Sequence, residues 1–66
     1  DLELERKRLT KELEKIAADI IRTETKLANQ DFVAHAPAEV LQDEQNRRAA
    51  LLIKQSKLQE TLKNIG

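Results

Sequence analysis

The chain is expected to turn at Asn29-Gln30-Asp31-Phe32-Val33-Ala34-His35-Ala36-Pro37-Ala38-Glu39-Val40. This segment contains the only phenylalanine and the only proline of the 66-residue chain, and the only glycine is the last residue. Proline disrupts a helix interior because it lacks the N–H donor and clashes with the preceding turn. Neither flank contains a comparable helix breaker. We therefore expect two long helices that meet at this segment.

The flank before the turn predicts a helix over about residues 1–28. Its apolar residues recur at intervals of three, four and seven, which is the spacing of a heptad seam. Two polar residues fill the gaps in this pattern. The seam positions are Leu2, Arg6, Leu9, Leu13, Ile16, Ile20, Thr23 and Leu27.

The flank after the turn predicts a second helix over about residues 37–65. Its seam follows the same spacing but is more polar than the first, since it includes two charged residues and a glutamine. The seam positions are Leu41, Glu44, Arg48, Leu51, Gln55, Leu58, Leu62 and Ile65.

The turn itself is expected to occupy residues 29–36. Asn29 is suited to a left-handed cap that ends the first helix. Pro37 fits the first position of the second helix, with Ala36 as its N-cap. We expect Phe32 and Val33 to fold over the end of the helix pair as a hydrophobic plug. The alternative is that Phe32 stacks on a base or a partner, and His35 is expected to be an exposed loop residue.

A connection this short predicts that the second helix returns beside the first, giving an all-α, antiparallel two-helix coiled-coil hairpin. Two registers one heptad apart fit the seams. The preferred register places Thr23 opposite Leu41 and brings Asp19 and Glu12 near Arg47 and Lys54, respectively. The other register matches Ile20 with Leu51 and Leu13 with Leu58. It also brings Lys26 near Arg47, a repulsive pair of like charges, and requires a longer loop.

Composition limits the classes of function. Lysine and arginine together number 12, as do aspartate and glutamate, so net charge provides no general attraction to nucleic acid or anionic lipid. The chain has no cysteine and one histidine, so we expect no metal site. No apolar run approaches the length of a membrane span. No nucleophile–base pair indicates catalysis, and the start within a helix suggests a fragment of a larger protein.

The clearest candidate surface is a basic stripe on the first helix. Its members occupy outward-facing heptad positions, and they are Arg8, Lys11, Lys15 and Arg22. One interpretation is a solvated face whose cations pair locally with acids. The other is a surface for a phosphate backbone. The sequence leaves both interpretations open.

The second helix carries a candidate docking patch. Leu52 and Ile53 lie beside Ala49 and Ala50, with Lys54 and Lys57 nearby. A contiguous apolar patch on a charged hairpin can mark a contact site. The competing use of these heptads is a structural coiled-coil spacer or a protein–protein dimerisation element, although we expect the chain to be monomeric.

The turn and its flanks resemble a known family. The pattern Asn29-x-x-Phe32-Val33-x-x-Ala36-Pro37-x-x-Val40-x-x-x-Glu44, preceded by Lys26-Leu27, is similar to the C-terminal coiled-coil arm of valine–tRNA ligase. The similarity covers essentially the whole chain. It departs at His35, where the family often has arginine or lysine.

The resemblance implies a tRNA-binding arm that lies against the outer corner of the tRNA, where the D and T loops meet. The parent would be a cytoplasmic ligase that uses ATP and Mg²⁺ to attach valine, and the partners of the arm would be tRNA and the rest of that enzyme. No catalytic residue and no cofactor site is implied for this chain. The stripe and the patch are assigned from helix geometry and are not residues carried over from the family.

Overall fold

The computed structural model describes residues 1–65, which form three helices: α1 (Leu2–Ala28), α2 (Gln30–His35) and α3 (Ala38–Ile65). No strand occurs in this part of the chain, so the all-α class is confirmed. The segment expected to be a turn contains a short helix, α2, between two extended residues, Asn29 and Ala36.

The two long helices lie side by side. At about 1.5 Å per residue, each is about 40 Å long, and the whole molecule measures only 49 × 14 × 12 Å. Two ion pairs join the helices. Glu24 Oε2 lies 2.9 Å from Arg48 Nη2, and Glu44 Oε1 lies 3.9 Å from Lys26 Nζ.

The residues between the helices coincide closely with the heptad seams. All of the α3 seam positions are buried or half-buried. In α1, the buried residues are Leu9, Ile16, Ile20 and Thr23, while Leu2 and Arg6 at the start of the helix are exposed. Within residues 1–65, the three buried apolar side chains all come from α1, so the core is a narrow strip rather than a closed interior.

The preferred register is wrong. The ion pairs between the helices fit the register shifted by one heptad, in which Ile20 and Leu13 are opposite Leu51 and Leu58. Burying a large aliphatic side chain contributes about 1.5–3 kcal/mol, whereas an exposed ion pair contributes about 0.2–1 kcal/mol. Apolar matching along the seam therefore outweighs the surface charge pairs on which the prediction relied.

The predicted charge pairs are replaced by others. Within residues 1–65, Asp19 pairs with Arg22 at 3.7 Å, and Arg47 pairs with Glu44 at 3.7 Å. The repulsion expected between Lys26 and Arg47 is relieved because both cations lie within 4 Å of the same oxygen, Glu44 Oε1.

The longer connection that this register requires is supplied by α2. Asn29 is extended (φ −77°, ψ 112°), so the prediction of a left-handed cap is wrong. Its side chain instead caps α2, because Oδ1 accepts hydrogen bonds from Asp31 N at 3.0 Å and Phe32 N at 3.2 Å. Asparagine is among the residues preferred at a helix N-cap, because its side-chain oxygen can accept these bonds.

The start of α3 also differs slightly from expectation. Ala36 is the C-cap of α2, and its N–H donates to Phe32 O at 2.8 Å. Pro37 precedes the first residue of α3, and its carbonyl accepts from Val40 N and Leu41 N. The missing N–H of Pro37 therefore leaves no helical hydrogen bond unmade.

Candidate nucleic-acid interface

The four cations of the basic stripe are exposed on one face of α1. At 3.6 residues per turn, Arg8, Lys11, Lys15 and Arg22 fall within an arc of about 60° around the helix axis. This arc lies away from the buried seam residues. The structure therefore places the stripe where an elongated partner has access to it.

Two of these cations are paired with acids on the same helix. Arg8 donates a hydrogen bond to Glu5, and this bond together with the charge of Glu5 raises the pKa of Arg8 above its ordinary value. Arg22 lies 3.7 Å from Asp19. Within residues 1–65, Lys11 and Lys15 form no ion pair. Local pairing and an available positive surface therefore coexist on the same stripe.

A groove between α1 and α3 continues the stripe towards α2. Its lining includes five charged residues, and the full set is Asp19, Arg22, Thr23, Lys26, Glu44, Arg47 and Leu51. Lys26 and Arg47 were absent from the predicted site. The alternative register already brought these two residues together, so the signal was present in the sequence but was treated as a repulsion.

Glu44 lies at the base of this groove. It is 8% exposed and is the only acidic residue buried among residues 1–65. A buried carboxylate is stable only when it has charged or hydrogen-bonding partners. Here Lys26 and Arg47, one from each long helix, provide them. The seam position of Glu44 thus links packing between the helices to the arrangement of surface charge.

Arg48 makes a different kind of contact. Its Nε and Nη2 donate to Glu24 Oε2 at 3.0 and 2.9 Å. The groove that Glu24 and Arg48 line is separate from the one that contains Glu44. This pair joins α1 to α3, and two of the guanidinium N–H groups are occupied by its hydrogen bonds.

The candidate docking patch on α3 is exposed but divided. Leu52 and Ile53 are both accessible, as are Ala49, Ala50 and Lys57. Consecutive residues of a helix point about 100° apart, so Leu52 lies towards the flank while Ile53 faces away from α1. The structure does not bring this patch together with the basic stripe.

The residues of the turn differ in their environment. Phe32 is half-buried, whereas Val33 is exposed. His35 is exposed in the last turn of α2, with Nδ1 2.8 Å from the carbonyl oxygen of Asp31. Pro37 lies at the junction with α3.

Neither a metal centre nor a membrane segment is evident in residues 1–65. This part of the chain has no cluster of three or more histidine, aspartate or glutamate residues arranged to hold a metal ion. None of its helices is both long and apolar enough to cross a membrane.

Comparison with known proteins gives a consistent result. A family model described as "Valyl tRNA synthetase tRNA binding arm" matches residues 1–66. No solved structure matches the chain significantly.

The similar curated proteins are valine–tRNA ligases. The chain is 48% identical to that of Bradyrhizobium diazoefficiens over 65 residues, which is 98% of the chain and 7% of the relative. It is 42% identical to that of Nitrobacter winogradskyi over 98% of the chain and 7% of the relative. Identity to that of Carboxydothermus hydrogenoformans is 42%, over 94% of the chain and 7% of the relative. The chain thus spans about 7% of the length of these relatives.

Proposed function

The chain belongs to the family of valyl tRNA synthetase tRNA-binding arms, and from this premise we propose that it is the arm with which a valine–tRNA ligase holds its tRNA. The observation that carries the proposal is the match of the family model to all 66 residues. The exposed basic stripe on α1 supplies a surface of the appropriate charge.

The arm acts as an antiparallel helical hairpin. The opposite order of the partners in the Glu24–Arg48 and Lys26–Glu44 pairs supports this arrangement. So does the overall length of 49 Å, which is close to that of a single long helix. Because the molecule is rod-shaped, its cations are spread along one side, where successive phosphates of a folded RNA can contact them.

The contact with RNA is made through its backbone. Proteins recognise A-form RNA mainly by shape, through phosphates and 2′-hydroxyls, because side chains cannot read its deep, narrow major groove. Arg8, Lys11, Lys15 and Arg22 suit this kind of contact. The site on the tRNA is the outer corner, where the D and T loops meet. The candidate docking patch on α3, which includes the exposed Ile53, is a second possible contact surface.

The arm supports an activity located elsewhere in the parent enzyme. That enzyme is a cytoplasmic ligase that attaches valine to its tRNA with ATP and Mg²⁺, and the rest of the enzyme is the second partner of the monomeric arm. Net charge near zero predicts weak binding by the isolated chain. Attachment to the enzyme raises the effective concentration of the arm near the tRNA and compensates for this weakness.

The proposal is tested by removing the two stripe cations that lack an ion pair. Lys11→Gln with Lys15→Gln is compared with Arg6→Gln plus Lys63→Gln, which removes the same charge at positions that are not part of the stripe. Binding of a labelled valine tRNA transcript is followed by fluorescence anisotropy across a range of salt. We expect the stripe variant to bind more weakly. The slope of the logarithm of the binding constant against the logarithm of salt concentration should decrease in magnitude by about 0.7–0.9 for each phosphate contact removed.

The control variant is expected to retain most of the wild-type affinity and slope. If both variants behave like the wild-type chain, the stripe is not the RNA surface. If the wild-type chain shows no binding of tRNA even at low salt, where electrostatic attraction to the RNA backbone is strongest, the proposed function itself is wrong.

A further inference from the structure

The flank of α3 that lies away from the groove containing Glu44 carries almost no charge. Its exposed residues from position 42 to position 59 follow one another at intervals of three and four, and they are Gln42, Gln45, Ala49, Leu52, Ser56 and Gln59. They repeat the spacing of the seam, so α3 has a second heptad stripe beside the first. Since 36% of the chain is charged, an uncharged stripe of this length favours a packing surface over a merely solvated one.

α1 extends this surface on the same side of the hairpin. The residues concerned have the same spacing, and they are Ala17, Ile21, Glu24 and Ala28. A depression joins the two helices here, and its lining is Glu24, Leu27, Ala28, Gln45 and Arg48. We call the uncharged stripe on α3, together with these four residues of α1, the low-charge face.

The polar groups on the low-charge face are largely satisfied within the hairpin. Glu24 accepts two hydrogen bonds from Arg48, and Gln42 donates one to Asn46 at 3.0 Å. A polar group that keeps its own partner costs less to remove from water than one that loses it. Covering this face is therefore inexpensive in desolvation. The exposed Glu14, near one end of the face, forms no ion pair within residues 1–65.

We propose that the low-charge face docks on a helix in the body of the parent enzyme. The heptad spacing of the stripe fits a third helix, because knobs-into-holes packing needs side chains spaced by three and four residues. The docked helix is expected to be apolar on its covered side, with a cation opposite Glu14. This inference rests on the proposed function only in taking the chain as part of a longer ligase.

The small size of the face favours an occupant in the same polypeptide. From Gln42 to Gln59 the stripe is about 26 Å long, so a helix about 10–12 Å wide would cover on the order of 300 Å². Stable complexes between separate proteins bury about 800 Å² on each partner. A helix of the same polypeptide needs less area, because the covalent connection raises its effective concentration. The chain amounts to about 7% of the length of its relatives, so most of each relative lies outside the arm.

A contact on the low-charge face leaves the basic stripe accessible. Consecutive residues of a helix point about 100° apart, so Ile21 and Arg22 lie on different faces of α1. The groove that contains Glu44 and the depression lined by Glu24 and Arg48 are also separate. A docked arm would therefore direct its exposed cations away from the enzyme body, towards an RNA.

The experiment is hydroxyl-radical footprinting, without tRNA, of the full-length ligase that contains this chain. Ile21 and Ile53 form a matched pair, because they are 62% and 58% exposed in the hairpin and only Ile21 lies on the low-charge face. Without docking, two isoleucines of similar exposure should be oxidised at similar rates. We expect Ile21 to be oxidised several-fold more slowly than Ile53. Equal rates, or slower oxidation of Ile53, would overturn the proposal.

Two neighbouring alanines provide matched variants of the ligase. Ala49→Glu places a charge on the low-charge face, whereas Ala50→Glu places the same charge about 100° around the helix, and both positions are exposed. We expect Ala49→Glu to raise the oxidation rate of Ile21 to that of Ile53, and Ala50→Glu to leave it low. If the two variants protect Ile21 equally, the low-charge face is not the docking surface.

The mass of the ligase in solution identifies the occupant. An unchanged mass in Ala49→Glu, together with loss of protection at Ile21, supports docking within one polypeptide. A wild-type dimer that becomes a monomer in Ala49→Glu would show that the face binds a second copy, and the proposal would be wrong. Because tRNA is absent throughout, Ile21 can be protected even in a ligase whose arm binds no tRNA. Failure of this inference is therefore distinguishable from failure of the proposed function.

Discussion

At the level of single residues, Phe32 and Val33 illustrate how burial distinguishes two neighbouring apolar side chains. Sequence alone assigned both to a plug over the end of the helix pair. In the structure, Phe32 is half-buried and Val33 is exposed. Asn29 begins α2 just before them, and the helical turn directs consecutive side chains about 100° apart. The packing role therefore belongs mainly to Phe32.

Replacing Phe32 with alanine is expected to destabilise the chain by about 1–2 kcal/mol, less than for a fully buried phenylalanine. For a chain of this size, that corresponds to a decrease of several degrees in Tm, measured by circular dichroism. Val33→Ala is the matched control and should change Tm much less. Equal decreases in the two variants, or no decrease in Phe32→Ala, would argue against the packing role of Phe32.

At the level of helices, the heptad spacing identified the residues that lie between α1 and α3, because it depends only on helix geometry. The register could not be obtained in the same way. It depends on the balance between apolar matching, as at Ile20 and Leu51, and surface charge pairs. It also depends on the length of the connection, which is set by α2. The groove was missed for the same reason, since the pairing of Lys26 with Glu44 exists only in the observed register, whereas Arg47 pairs with Glu44 within α3.

The register can be tested with engineered disulfides, because the chain contains no cysteine. Ile16→Cys with Gln55→Cys pairs positions that are opposite in the observed register, whereas Thr23→Cys with Leu41→Cys pairs positions from the other. One heptad corresponds to about 10 Å along the helix, which is beyond the reach of a disulfide without backbone movement.

Thiol titration under mild oxidation should therefore show rapid loss of free thiol only in the first variant. Its oxidised product should have the mass of a monomer. Faster bridging in the second variant would contradict the observed register. A dimer in either case would favour the dimerisation element that the heptads also allow.

At the level of the whole molecule, a chain without net charge presents its charges unevenly. The stripe and the groove place exposed cations along one side of a 49 Å rod, while Glu44 is buried between the helices. Such an arrangement suits contact with an extended backbone more than capture of a small ligand. The groove itself depends on the fold, since separation of α1 and α3 would separate Lys26 from Arg47.

The most direct test is an NMR titration of the isotopically labelled chain with valine tRNA at low and moderate salt. We predict chemical-shift changes confined to the face formed by Arg8, Lys11, Lys15 and Arg22 and to the adjoining groove, and these changes should weaken as salt rises. Residues such as Ile20 in the seam should keep their shifts, because the hairpin does not open. Absence of any change at low salt, or changes confined to the opposite face around Glu24 and Arg48, would contradict a tRNA-binding arm of this design.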